Sequence, residues 1–198
     1  MFKKMKKILI IISILVLNIA SAQAACNFMI NIGDKGTKLY EKFGLPMPMF
    51  EGQLMMPIPS PELCPNDNLN SDIAVEYVFL EKEDDESEDV IENANLAAIR
   101  MVVLNDGNNT ENNKLTLMNY AKKVYGDFDT GINPKIYNNY AIFEKGQNIV
   151  IYKRLYNEEG LIDEEIYISN TEYDKKLGEF YYALEEEQAA AESNGETN

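Results

Sequence analysis

The chain contains no histidine and no tryptophan. Without histidine there is no Ser-His-Asp or Cys-His nucleophilic catalysis, no His-ligated zinc, and no imidazole to shuttle protons near neutral pH. Basic residues are scarce: 18 Lys and Arg stand against 33 Asp and Glu, a net charge of −15. A field of that sign repels nucleic acids and anionic lipid head groups, so no nucleic-acid partner is expected. No Walker-type loop, dinucleotide fingerprint or Ser-x-x-Lys pairing stands out. Carboxylate-pair hydrolysis stays open, because it needs only two acids at a set distance. So acidic a chain offers such pairs anywhere, and no catalytic residue and no cofactor is assigned.

Long apolar runs are also few, and the main one is N-terminal. Lys3, Lys4, Lys6 and Lys7 form a basic region, residues 8–17 are apolar apart from Ser13, and Ala22-Gln23-Ala24 offers a small-x-small cleavage site. About 20 apolar residues are needed to cross a bilayer, and this run is about half that length. Residues 1–24 therefore read as a cleaved signal peptide, which sends the rest to the periplasm or the exterior with no transmembrane span after cleavage. Loss of the four lysines takes the net charge from −15 to −19. What remains reads as one α+β domain over 25–188, with halves at 25–105 and 112–188, followed by a disordered tail at 189–198. The content is otherwise globular, at 45% hydrophobic with 12 Tyr and 8 Phe.

Cysteine is limited to Cys26 and Cys64. In an exported chain an even pair reads as a disulfide, and closing a loop of this length stabilises by about 4 kcal/mol in the chain-entropy model. The rivals are a lipid-anchored Cys26, against which Gln23 stands three positions upstream where a branched or other apolar residue is usual, and a free or metal-bound thiol.

A helix is expected over 34–43, with Leu39 and Phe43 on one face, Gly44 just past its end and Pro46 preventing continuation. Residues 46–61 carry five prolines and must be extended or irregular. Strands are expected at 73–81 and 96–104, with a charged loop between them over 82–92 and a Gly/Asn turn region at 105–113. The second half opens with a helix over 114–125 (Leu117, Ala121 and Val124 on one face, Gly126 at its end). Strands follow at 139–143, 149–156 and 164–169, with Ala141, Phe143, Ile149 and Ile151 burying one face. Ser169-Asn170-Thr171-Glu172 reads as a capping box opening a last helix over 171–187, whose stripe is Tyr173, Leu177, Phe180, Tyr181 and Leu184. All three helices are expected on one side of an antiparallel sheet. Phe43-Gly44 and Tyr125-Gly126 mark equivalent places, which raises two α-β-β repeats as a reading alongside chance similarity.

Gly33, Leu39, Phe43-Gly44, Pro46 and the later Tyr77-Val78-Phe79 together resemble the outer-membrane assembly lipoproteins of the BamE (SmpA/OmlA) family. The likeness covers the first half only. It implies a helix clamped between glycine turns and packed on an antiparallel sheet, used for binding rather than chemistry, and it assigns no functional residue.

Two metal readings compete with bland ones. Met47, Met49, Met55 and Met56 are soft thioethers suited to Cu(I), or else they fill an irregular apolar groove or face a partner. The Asp127, Asp129 and Gly131 stretch and the acids at 83–89 offer oxygen atoms to Ca²⁺, or else are solvated loops. The leading expectation is a non-catalytic envelope protein that binds another protein or an assembly. Its candidate contact is the Pro/Met segment, with Met47, Met49, Phe50, Leu54, Met55, Met56 and Ile58, which either stay partly exposed as an apolar patch or else pack onto the domain's own sheet as core cover. A small-ligand or Cu(I)-binding module is the alternative, and a carboxylate-pair hydrolase comes third.

Overall fold

The computed structural model describes residues 26–67, 69, 71–81, 90–104, 115–129, 139–145, 147–156 and 162–195. The signal segment, the acids at 83–89 and the whole turn region at 105–113 lie outside the described residues, as does Gly131.

The chain forms an α+β fold around one seven-stranded antiparallel sheet. Helix α1 (Thr37–Phe43) leads into β1 (Met47–Phe50) and β2 (Gln53–Pro59), a 3-10 turn at Ser60–Glu62 and β3 (Ile73–Leu80). A one-turn helix α2 (Val90–Asn93) precedes β4 (Asn95–Val103), and α3 (Thr116–Tyr125) opens the second half. Strands β5 (Asn139–Lys145), β6 (Asn148–Tyr156) and β7 (Ile162–Asn170) and helix α4 (Thr171–Gly195) complete it. The spatial order is β1-β2-β3-β4-β7-β6-β5. Two meanders thus meet where β4 pairs with β7, with Ile99 opposite Ile168 and Val102 opposite Glu165.

The helices occupy both faces, which corrects the one-sided packing expected above. Period-two alternation sends Val75, Tyr77 and Phe79 to a face shared with Leu39 of α1 and Leu117 and Ala121 of α3. Val78, Leu80, Ala98 and Leu177 of α4 form a separate cluster on the opposite face. The signal lay in β3, whose near-continuous apolar run is what a strand covered on both sides requires. The register also divides residues expected together. Phe143 pairs with Val150 and joins the α3 face, whereas Ile151 pairs with Tyr167 and belongs to the α4 face.

Glycine ends both α1 and α3. Gly44 (φ 92°) and Gly126 (φ 112°) donate back to the carbonyls of Tyr40 and Lys122, in a backbone region that favours glycine. The halves share a helix-then-meander order, and these aromatic–Gly ends are what their sequences have in common.

The start of α4 differs from the expected capping box. Asn170 Oδ1 accepts the Tyr173 backbone N–H at 2.9 Å, while Ser169 still belongs to β7 and donates to the Ala97 carbonyl at 2.7 Å. Nor does the helix fray at Ala189. It runs to Gly195, through Glu-Gln-Ala-Ala-Ala-Glu, residues of high helix propensity.

Cys26 and Cys64 form the expected disulfide, with Cα atoms 4.3 Å apart. Both are buried in the core under α1 and α3. The Tyr120 hydroxyl accepts the Cys26 backbone N–H and donates to its Sγ, each at 3.1 Å. The bridge therefore braces α3 as well as the start of the first half.

Candidate functional site

The Pro/Met segment is a hairpin, with Gly52 (φ 78°) in its turn and β1 as the sheet's edge. Its candidate contact residues divide. Leu54, Met56 and Ile58 pack into the α1/α3 core and are closed to any partner; Met55 is half-buried. Met47 (48% exposed), Met49 (44%) and Phe50 (42%) remain at the surface beside Leu45 (70%). Within β2, parity turns Leu54, Met56 and Ile58 to the core and Met55 to the other face, whereas all four residues of β1 are exposed at the sheet's edge.

The same parity undoes a four-thioether Cu(I) site. Met55 and Met56 are consecutive in β2 and point to opposite faces: Met55 pairs with Val78 of the α4 face, and Met56 with Tyr77 of the α1/α3 core. Among the described residues no group of three or more His, Cys, Asp or Glu is placed to hold a metal ion.

A second feature went unseen in the sequence: a cleft of about 560 Å³ between α4 and the sheet. Val78, Ala98, Ile151 and Leu177 supply its apolar walls, and Tyr167 and Tyr181 its rings. Three of its charged groups, Arg100, Lys153 and Glu165, are mutually paired. Arg100 Nε donates to Glu165 Oε1 at 2.9 Å, and Lys153 Nζ lies 3.1 Å from Glu165 Oε2. On the other side, Arg100 Nη1 is 3.1 Å from Glu76 Oε2, an ion pair without hydrogen-bond alignment. Burial by itself would raise Glu165; the Arg100 hydrogen bond and charge, with Lys153, outweigh it and hold the carboxyl below its usual value. Glu76 goes the other way: burial raises it, Arg100 offsets part of this and Glu165 adds to it.

At the cleft's other end the Tyr167 hydroxyl donates to Asp174 Oδ1 at 2.9 Å, and the Tyr181 hydroxyl accepts from Gln53 Nε2 at 2.8 Å. Gly178 lines the cleft from inside α4. A Cβ there would meet nothing within 4 Å, so packing does not demand glycine, although glycine in a helix interior costs about 1 kcal/mol against alanine. The isolated Gly178 in a helical pattern, and Arg100 in an apolar strand, were the signals available in sequence.

A third cluster is structural. Glu164 and Arg154 face each other across β6 and β7 and are 2% and 1% exposed, deep in the α3 face. The Glu164 carboxylate accepts the Tyr152 hydroxyl (2.8 Å) and the N–H groups of Met118 (2.9 Å) and Leu117 (3.3 Å). It thereby caps α3, whose own preceding residue, Leu115, makes no side-chain cap. Burial raises the Glu164 carboxyl despite these hydrogen bonds and the Arg154 charge.

Among the described residues no helix is long and apolar enough to cross a membrane. Against known proteins, the chain matches no family model, no curated protein and no solved structure.

Proposed function

We propose that this chain is a non-catalytic, exported envelope protein that binds another protein through the outer side of its β1–β2 hairpin. The observation that carries this reading is the joint exposure of Leu45, Met47, Met49 and Phe50 in so acidic a chain. Large apolar side chains grouped at a surface are the usual anchors of a protein interface. Pro48 lacks an N–H, and β1 is only four residues long. Both features blunt strand addition, so recognition rests on side chains rather than on a new β-ladder. The disulfide supports an oxidising compartment, and the likeness of the first half to the BamE family agrees with a binding role.

Export is part of the reading. Cleavage after Ala24 leaves Ala25 as the new N-terminus, and intact mass of the envelope fraction tests it. A chain still beginning at Met1 contradicts export, and a diacylglycerol adduct on Cys26 contradicts the disulfide-bonded form. The contact itself is tested by Met49→Ser with Phe50→Ser. Co-purification of a partner should be lost while the melting temperature stays nearly unchanged, because neither side chain lies in the core.

A further inference from the structure

We propose that the cleft between α4 and the sheet is a second binding site, for a small organic cation with an apolar or aromatic body. It is independent of the hairpin surface. Its volume of about 560 Å³ falls within the range of small-molecule sites, and its walls combine aliphatic side chains with two tyrosine rings. Gly178 keeps it open where a side chain would fit without a clash.

The ligand's charge follows from the lining. Arg100 is held between Glu76 and Glu165, and Lys153 rests on Glu165. An anion would compete with carboxylates already in place for both cations. Glu165 and Asp174 line the cleft against those two bases; Glu76, outside the lining, offsets Arg100 from its other side, and the chain's net charge of −15 adds a field that favours a cation. Asp174 accepts the Tyr167 hydroxyl and, among the described residues, is the cleft acid that makes no ion pair with a base. A cation beside it would gain from the carboxylate and from the tyrosine rings, and its apolar body would cover Val78, Ile151 and Leu177.

The test uses the full-length exported chain and three probes of similar size: benzyltrimethylammonium, benzyl alcohol and benzenesulfonate. Binding is read by saturation-transfer NMR and calorimetry. The cation should bind about tenfold more tightly than either competitor. Asp174→Asn should remove most of that preference. Gly178→Leu should abolish binding without lowering the melting temperature, and Gly178→Ala should retain it. Failure of the cation to bind, equal or tighter binding of benzenesulfonate, or binding indifferent to Gly178→Leu would each overturn the proposal. Should Gly178→Leu fail to fold, the Asp174→Asn comparison decides.

Discussion

The Glu164 carboxylate accepts the backbone N–H of Met118 at 2.9 Å across 46 positions of sequence, so a strand residue caps the helix that opened the same half. The helix start and the β6–β7 pairing are thereby one unit, with Arg154 and Tyr152 sharing the buried carboxylate's surroundings. Glu164→Ala leaves the α3 N–H groups without that acceptor and Arg154 short of a counter-charge. It should destabilise by about 3 kcal/mol or more, measured by urea denaturation. A loss under about 0.5 kcal/mol, the size of an ordinary surface change, would mean that the cap does not hold α3.

Glu164 and Glu165 are adjacent and should respond to pH in opposite directions. The folded state raises the Glu164 carboxyl, so its contribution to stability is fully present below the unfolded value and lost as pH rises through the folded one. Glu165 is lowered, so its contribution is present above the unfolded value and lost as pH falls through the folded one. Unfolding free energies of the wild type, Glu164→Gln and Glu165→Gln, taken from acid to neutral pH, provide the check. Relative to its Gln variant, the wild type should lose stability with rising pH at Glu164 and gain it at Glu165. Slopes of the same sign would contradict the assignment.

The disulfide joins Cys26 to Cys64 across 38 positions beneath the Tyr120 hydroxyl. Alkylation without reductant should label neither thiol. Replacing both cysteines by alanine should cost up to about 4 kcal/mol, and Tyr120→Phe about 1 kcal/mol from its lost hydrogen bonds. Full labelling of both thiols in the native protein would contradict the bridge.

Gly178→Ala should stabilise the fold by about 1 kcal/mol, because helix propensity improves and the new Cβ meets nothing within 4 Å. Thermal unfolding measures it. A lower melting temperature would mean that the backbone at this position needs glycine.

Local signals carried most of the elements. Glycine ends, β-branched runs and turn residues located α1, β3, β4, α3 and the second meander to within a few residues, since each is decided by neighbours in sequence. The α1 boundary shifted because Asp34 is used in a turn, where its Oδ2 accepts the Asn31 N–H at 2.9 Å. What escaped depends on pairing across the sheet. Whether Met55 and Met56 converge, whether Ile151 joins Phe143, and whether Arg100 meets Glu76 and Glu165 are settled by register and face, which a single strand's sequence does not state. The cleft was hidden for that reason: its lining comes from β3, β4, β6, β7 and α4. The exposed half of the hairpin was legible as composition, but only β1's place at the edge separates Met49 and Phe50 from the buried Leu54 and Ile58.

The central claim is that the hairpin edge is where a partner binds, and site-specific photo-crosslinking tests it most directly. A benzophenone side chain is placed at Phe50 in one sample and at Ile142 in another. Ile142 is equally apolar and 53% exposed, but lies on the opposite edge strand, β5. After irradiation of intact envelopes, position 50 should give a discrete higher-mass adduct that position 142 does not, and Met49→Ser should weaken it. No adduct from position 50, or the same adducts from both positions, would contradict the account.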